Sequence, residues 1–231
     1  MKNLYTLLLL TLSLFAENFS SNIIMNSVII NSTIDSSSNI GGSGQLISQH
    51  IQTKIFDQIN IDIPAKLMIN QGKHSDIILK TESNVLKSLD FYVKNSTLFI
   101  QAKENFSTTK GVMITITTPH LKRLVTESAV DINIKGYNEE YFDLEVDGTG
   151  DFLFSSGRFR RLSLHADGSY DIDLIGMRVD EATIVAEGSG DIKLSVTRYL
   201  KVDLKDTVEV KYRGDPKVNK KISDVADLTH I

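Results

Sequence analysis

One feature constrains this chain more than any other: its C-terminal half repeats every twenty residues. Asp131, Asp151, Asp171 and Asp191 keep that interval, and so do Gly148, Gly168 and Gly188. The turns read DGTGD (147–151), DGSYD (167–171) and EGSGD (187–191), with a degenerate ESAVD at 127–131. Apolar positions keep step upstream of each turn. One column is Leu124, Leu144, Leu164, Ile184 and Leu204; another is Phe142, Leu162, Ala182 and Val202. Downstream lie Ile132, Phe152, Ile172 and Ile192, then Ile134, Phe154, Leu174 and Leu194. A fifth unit, LKVDLKDTVEVKYRG, lacks the glycine turn and is two residues shorter. Each unit holds two short alternating strands and two turns, too little to bury its own apolar face. Stacked units would build one continuous interior, with like columns about 4.8 Å apart. The expected architecture is all-β, a β-helix or β-solenoid of about twenty-residue coils over about 122–214. A β-sandwich is the alternative, since it too shows alternation and evenly spaced turns.

The preceding segment fits this class. FDQINIDIPAKLMINQG and HSDIILKTES alternate like half-buried strands, NVLKSL suggests one helical turn, FYVKNSTLFIQAK reads as a hairpin, and GVMITITTP adds a strand. Residues 17–48 differ in composition: Ser and Asn dominate, and a GGSG cluster lies at 41–44. They are expected as a linker or N-terminal cap. Before them, Lys2 precedes LYTLLLLTLSLFA, about a dozen apolar residues ending in Ala16. That is the pattern of a secretory signal peptide over residues 1–16, too short for a spanning helix of about 20 residues. The expected location is therefore periplasmic or at the cell surface, with no transmembrane segment after cleavage. Residues 49–216 form the main domain in this reading, and 217–231 a C-terminal tail.

Composition narrows the chemistry. The chain of 231 residues has no Cys, so disulfides, Cys-ligated metals and thiol nucleophiles are excluded. Lys+Arg is 25 and Asp+Glu 29, a formal net charge of −4. Losing Lys2 with the signal leaves 24 − 29 = −5. Such a chain is a poor nucleic-acid binder, because phosphate affinity rests on clustered Lys and Arg. His50, His74, His120, His165 and His230 form no metal-ligand run. No nucleophile elbow, dinucleotide fingerprint or P-loop is present. Carboxylates are plentiful, but they recur in every unit, whereas a catalytic pair would break the repeat. No enzyme activity, cofactor or metal is expected.

Two ladders remain. Gly148, Gly150, Asp151, Gly168, Asp171, Gly188, Gly190 and Asp191 form the turn edge. Its glycines can take positive φ, and its aspartates can accept local backbone N–H bonds. Calcium bridging by the stacked acids is the sharper alternative. On the opposite edge, Arg158, Arg178 and Arg198 recur at the same interval. They would form either a charged edge that discourages aggregation or a strip that binds a polyanion.

FDQINIDIPAKLMINQG, NVLKSLDFYVKNSTLFI, the recurring GSGD units and the closing YRGDP together resemble the putative auto-transporter adhesin, head GIN domain family, over about residues 52–216. The resemblance implies a right-handed β-helix-like fold and an exported binding role toward a surface glycan or protein partner, with no catalytic residues. A structural envelope protein that stacks end to end, and a polysaccharide-acting enzyme, are the competing functions. Ser169-Tyr170 replaces Ser-Gly in one unit, which suggests a bulkier edge there.

Overall fold

A computed structural model describes residues 39–231 of the chain. Residues 1–16, expected as a signal peptide, and 17–38 of the expected linker lie outside them. The described residues are all-β apart from a single turn of helix, α1 (Val85–Ser88). Fifteen strands join in one nearly closed, barrel-like sheet around one apolar interior.

The pairing follows the repeat. β3 (Gln58–Asp62) and β4 (Ala65–Gln71) make the first pair of rows. β10 (Arg123–Thr126) lies parallel on β3, and β11 (Val130–Lys135) lies parallel on β4. β12 (Tyr137–Phe154) continues both, its first half against β10 and its second against β11. β13 (Gly157–Ala186), β14 (Ser189–Leu204) and β15 (Thr207–Arg213) extend the parallel ladder. Inward positions therefore stack as like on like. Leu67, Ile132, Phe152, Ile172, Ile192, Val210 and Leu228 are successive partners in one row, and Ile59, Leu124, Leu144 and Leu164 in the other. Most of the parallel strands alternate buried residues with more exposed ones, as a sheet with one dry face must. Phe142 and Phe159 stack at 4.5 Å, with Phe154 edge-on to both. Such contacts add about 0.5–1.5 kcal/mol per pair beyond burial.

The sequence columns hold through Ile184 and then slip. Ile184 pairs with Val202, and Ala182 with Leu200, so Leu204 and Val202 each sit two residues from their expected columns. The unit carrying them is eighteen residues long, and the register absorbs the difference in irregularities between Leu174 and Glu181. Hydrophobic spacing alone could not show this, because a shift of two keeps the same residues facing inward.

The two ends are built differently. At the N-terminal end, β2 (Leu46–Ile51), β5 (Asp76–Glu82) and β6 (Leu89–Lys94) add antiparallel, on β5, β9 (Met113–Thr118) and β7 (Thr97–Ala102) respectively. Part of the expected linker is thus strand: β1 (Ile40–Gly41) pairs with β8 (Phe106–Ser107), and β2 begins at Leu46. The buried Glu82 carboxylate ties this segment down. It accepts from the Gly44 and Thr109 N–H groups and from the hydroxyls of Thr108 and Thr109. At the other end, the expected tail carries β16 (Lys217–Ile222) on β14 and β17 (Asp227–His230) on β15. Lys220 there pairs with Val202, and His230 with Tyr212, so polar groups end the inward columns.

The glycine turns follow from close backbone approach. Gly168 has φ +115°, and a Cβ on it would be driven into the Gly148 carbonyl of the preceding unit. Gly168→Val should lower stability by about 2–6 kcal/mol, the strained backbone and the collision added. Gly41→Ala, where nothing lies within 4 Å, should melt like the parent; chemical denaturation of the pair checks this.

Candidate functional site

The turn edge assembles in register. Asp147, Gly148, Thr149, Gly150 and Asp151 pair with Asp167, Gly168, Ser169, Tyr170 and Asp171. Ser169, Tyr170 and Asp171 then pair with Ser189, Gly190 and Asp191, and these with Thr207, Val208 and Glu209. A row of hydroxyls, Thr149–Ser169–Ser189–Thr207, therefore runs beside a row of carboxylates, Asp151–Asp171–Asp191–Glu209. Asp147 and Asp167 flank the hydroxyls on the other side. Two shallow clefts that meet at Gly150, of 450 and 440 Å³, follow this edge.

The carboxylate row is compensated at its ends. Lys66 lies 2.9 Å from Asp131, and Lys211 lies 2.6 Å from Glu209. Among the described residues, Asp151, Asp171 and Asp191 have no basic group within ion-pair distance. The middle of the edge is a line of acids without ion-pair partners, its outer members Asp151 and Asp191 offset at longer range by Lys66 and Lys211. In-register stacking sets the acids in a row rather than around a point, and no cluster of three or more His, Asp or Glu among the described residues could hold a metal ion.

Tyr170 does not make the edge bulkier. Its ring turns inward, 4% exposed, beneath Gly190, where any Cβ would collide with it. Its hydroxyl donates to the Glu187 carbonyl at 3.1 Å. Burial, reinforced by the charges of Asp167, Glu187 and Asp206, pushes its pKa up and keeps the phenol neutral. Gly190 thus provides room for a neighbour's ring, whereas Gly188, at φ +91°, supplies a conformation.

The arginine edge is a mesh of ion pairs. The register irregularities fall within it, and the arginines gather around acids that sequence reading passed over. Arg158 donates to the buried Asp180, and Arg178 Nε approaches the same carboxylate at 3.8 Å. Arg198 lies 3.3 Å from Glu181, and Arg160 lies 2.8 Å from Glu140. The Arg158 hydrogen bond holds the Asp180 carboxyl below its ordinary range; burial opposes this, and the charges of Arg158, Arg178 and Arg198 reinforce it. A signal was present in the charge sequence: Glu140, Arg160 and Asp180 alternate in sign at the repeat interval. The five histidines are all exposed and far apart in the chain.

Because its folded pKa is depressed, Asp180 stabilises the fold above the unfolded carboxylate pKa of about 3.9, and the contribution fades as pH falls through the lower folded value. Asp180→Asn should cost about 1–3 kcal/mol near neutral pH. The gap from wild type should narrow in urea titrations as pH falls below the unfolded value of about 3.9.

No curated protein sequence is similar to this chain. Among solved structures, a putative adhesin from Bacteroides fragilis NCTC 9343 is 21% identical at TM-score 0.69, covering 84% of this chain and 100% of that one. A putative adhesin from Parabacteroides merdae ATCC 43184 is 13% identical at TM-score 0.55, covering 84% of this chain and 99% of that one. These likenesses concern the fold. The family described as putative auto-transporter adhesin, head GIN domain, matches residues 55–216. With that match spanning most of its length and the recurring turns inside it, the chain belongs to the head GIN domain family.

Proposed function

We propose that this protein is an exported, non-catalytic adhesion module, a right-handed β-solenoid that holds a surface glycan along its turn edge. In this reading residues 1–16 direct export to the periplasm or cell surface, 17–48 lead into the domain, and the coils present the ligand face. Family membership supports the adhesive role.

One observation carries the choice of face: Thr149, Ser169, Ser189 and Thr207 form a hydroxyl row beside the carboxylates of Asp151, Asp171 and Asp191. A row repeating at one strand spacing suits a ligand that also repeats. Hydroxyls and carboxylates pair with sugar hydroxyls. The row of acids disfavours a polyanion. The arginines at 158, 178 and 198 serve, in this reading, as a structural edge.

The competing functions fit less well. End-to-end stacking of copies would bring Lys220 and His230, at inward positions of the last strands, into the path of a continued core. Inward charge on an edge strand is a device against such pairing. A polysaccharide-cleaving enzyme would need one protonated and one ionised acid set apart from their neighbours, whereas the turn acids repeat.

The protein should be retained on one or more immobilised neutral polysaccharides while remaining monomeric in light scattering. Replacing Asp151, Asp171 and Asp191 together by Asn should weaken retention at least about tenfold, roughly 1.4 kcal/mol. Unchanged retention by that variant would remove the turn edge as the binding face.

A further inference from the structure

The outward face at the N-terminal end of the sheet has a chemistry of its own. Tyr92 on β6 pairs with Phe99 on β7, and their rings stack at 5.0 Å with 13° between planes. The outward row continues across the parallel strands: Phe99 pairs with Asn60, Asn60 with Val125, and Val125 with Glu145. A solvated sheet face is ordinarily polar. Here two aromatic rings and a valine occupy three of five adjacent outward positions, and Tyr92 is 38% exposed.

A groove of 290 Å³ lies beside the aromatic pair. Phe99 and Arg123 line it with Asn60 and Val125, and Gln58 and Glu127 supply further polar groups. Several of these polar groups are already held in place. Arg123 donates to both Asp143 and Glu145, which fixes its guanidinium. Asn60 Nδ2 donates to Glu127 Oε1 at 3.1 Å, which orients the amide and leaves its oxygen free to accept from a ligand. Side chains held by their neighbours lose little entropy when a ligand arrives.

Size and charge select the occupant. The volume lies just below the usual range of ligand clefts, about 300–1,000 Å³, so it accommodates one ring rather than a chain. Arg123 is outnumbered by Asp143, Glu145 and Glu127, which disfavours phosphates, sulfates and uronic acids. A neutral pyranose presents a face of C–H groups and a rim of hydroxyls. That matches an aromatic side chain bordered by amide, guanidinium and carboxylate groups.

We infer that this groove is a monosaccharide subsite, which takes a neutral pyranose with its C–H face against Phe99 and its hydroxyls on Asn60, Gln58 and Glu127. It is separate from the turn edge and stands or falls independently of it.

The test is a titration of the ¹⁵N-labelled protein with the methyl glycosides of glucose, galactose and mannose, with methyl glucuronide as the anionic control. At least one neutral glycoside should give saturable shifts, with Kd in the millimolar range, centred on Gln58–Ile61, Thr97–Ile100 and Arg123–Glu127. The glucuronide should bind at least about tenfold more weakly. Phe99→Ala and, separately, Asn60→Ala should each weaken the neutral sugar by about tenfold or more. The triple Asn variant of the turn edge should leave these shifts unchanged. Shifts absent from the groove with all three neutral sugars would overturn the assignment, as would glucuronide binding as tightly as they do. Groove shifts obtained only with an extended peptide would assign the face to a protein partner and overturn it too. If Phe99→Ala does not fold, the wild-type map and Asn60→Ala still decide the matter.

Discussion

Parallel pairing between successive units requires each unit to follow nearly the same path as the one before, and most of the structure depends on that requirement. Parallel neighbours must take their hydrogen bonds in register. Every inward Leu, Ile or Phe therefore meets its counterpart one unit away, as Phe152 meets Ile132 and Ile172. The backbone at the turn must also come close to the turn of the preceding unit. Gly148, Gly168 and Gly188 follow from this closeness, because their missing side chains leave space that the preceding backbone occupies.

The same stacking acts on charge in two opposite ways. Where the register is regular, like acids are held one strand spacing apart, and Asp151, Asp171 and Asp191 form a negative line. On the opposite edge, acids and arginines of neighbouring units face one another and converge in ion pairs. Arg158 and Arg178 meet at Asp180, and Arg198 pairs with the adjacent Glu181. The formal charge of −4 thus conceals, within the repeat, an exposed acidic edge and a largely neutralised basic one. The acidic edge carries the proposed binding role, whereas the arginines are engaged in ion pairs between units.

A stack of this kind must also end. Antiparallel strands and the buried Glu82 clamp finish one end, and the polar Lys220 and His230 finish the other. Polar groups at the inward positions of an end strand disfavour continued pairing there. The N-terminal solution also places the outward faces of β6, β7, β3 and β10 side by side, which is how Tyr92, Phe99, Asn60 and Val125 come to share one surface.

The twenty-residue interval was enough to read the all-β class, the turn glycines and most of the inward columns, because a residue's face in a strand depends only on parity and spacing. The same parity hid the slip after Ile184, since a shift of two residues changes partners without changing faces. The turn edge was legible as a ladder, whereas the inward fold of the Tyr170 ring beneath Gly190 depended on the space one unit leaves for the next. Arg158, Arg178 and Arg198 were visible as a column, and the alternating signs of Glu140, Arg160 and Asp180 carried a signal of pairing, but that Arg158 and Arg178 meet at Asp180 while Arg198 turns to Glu181 was decided by side-chain geometry between units. The aromatic row was legible only in its hairpin, where Tyr92 faces Phe99; Asn60 and Val125 lie 125 − 60 = 65 residues apart, and only tertiary pairing decides that their strands join that surface.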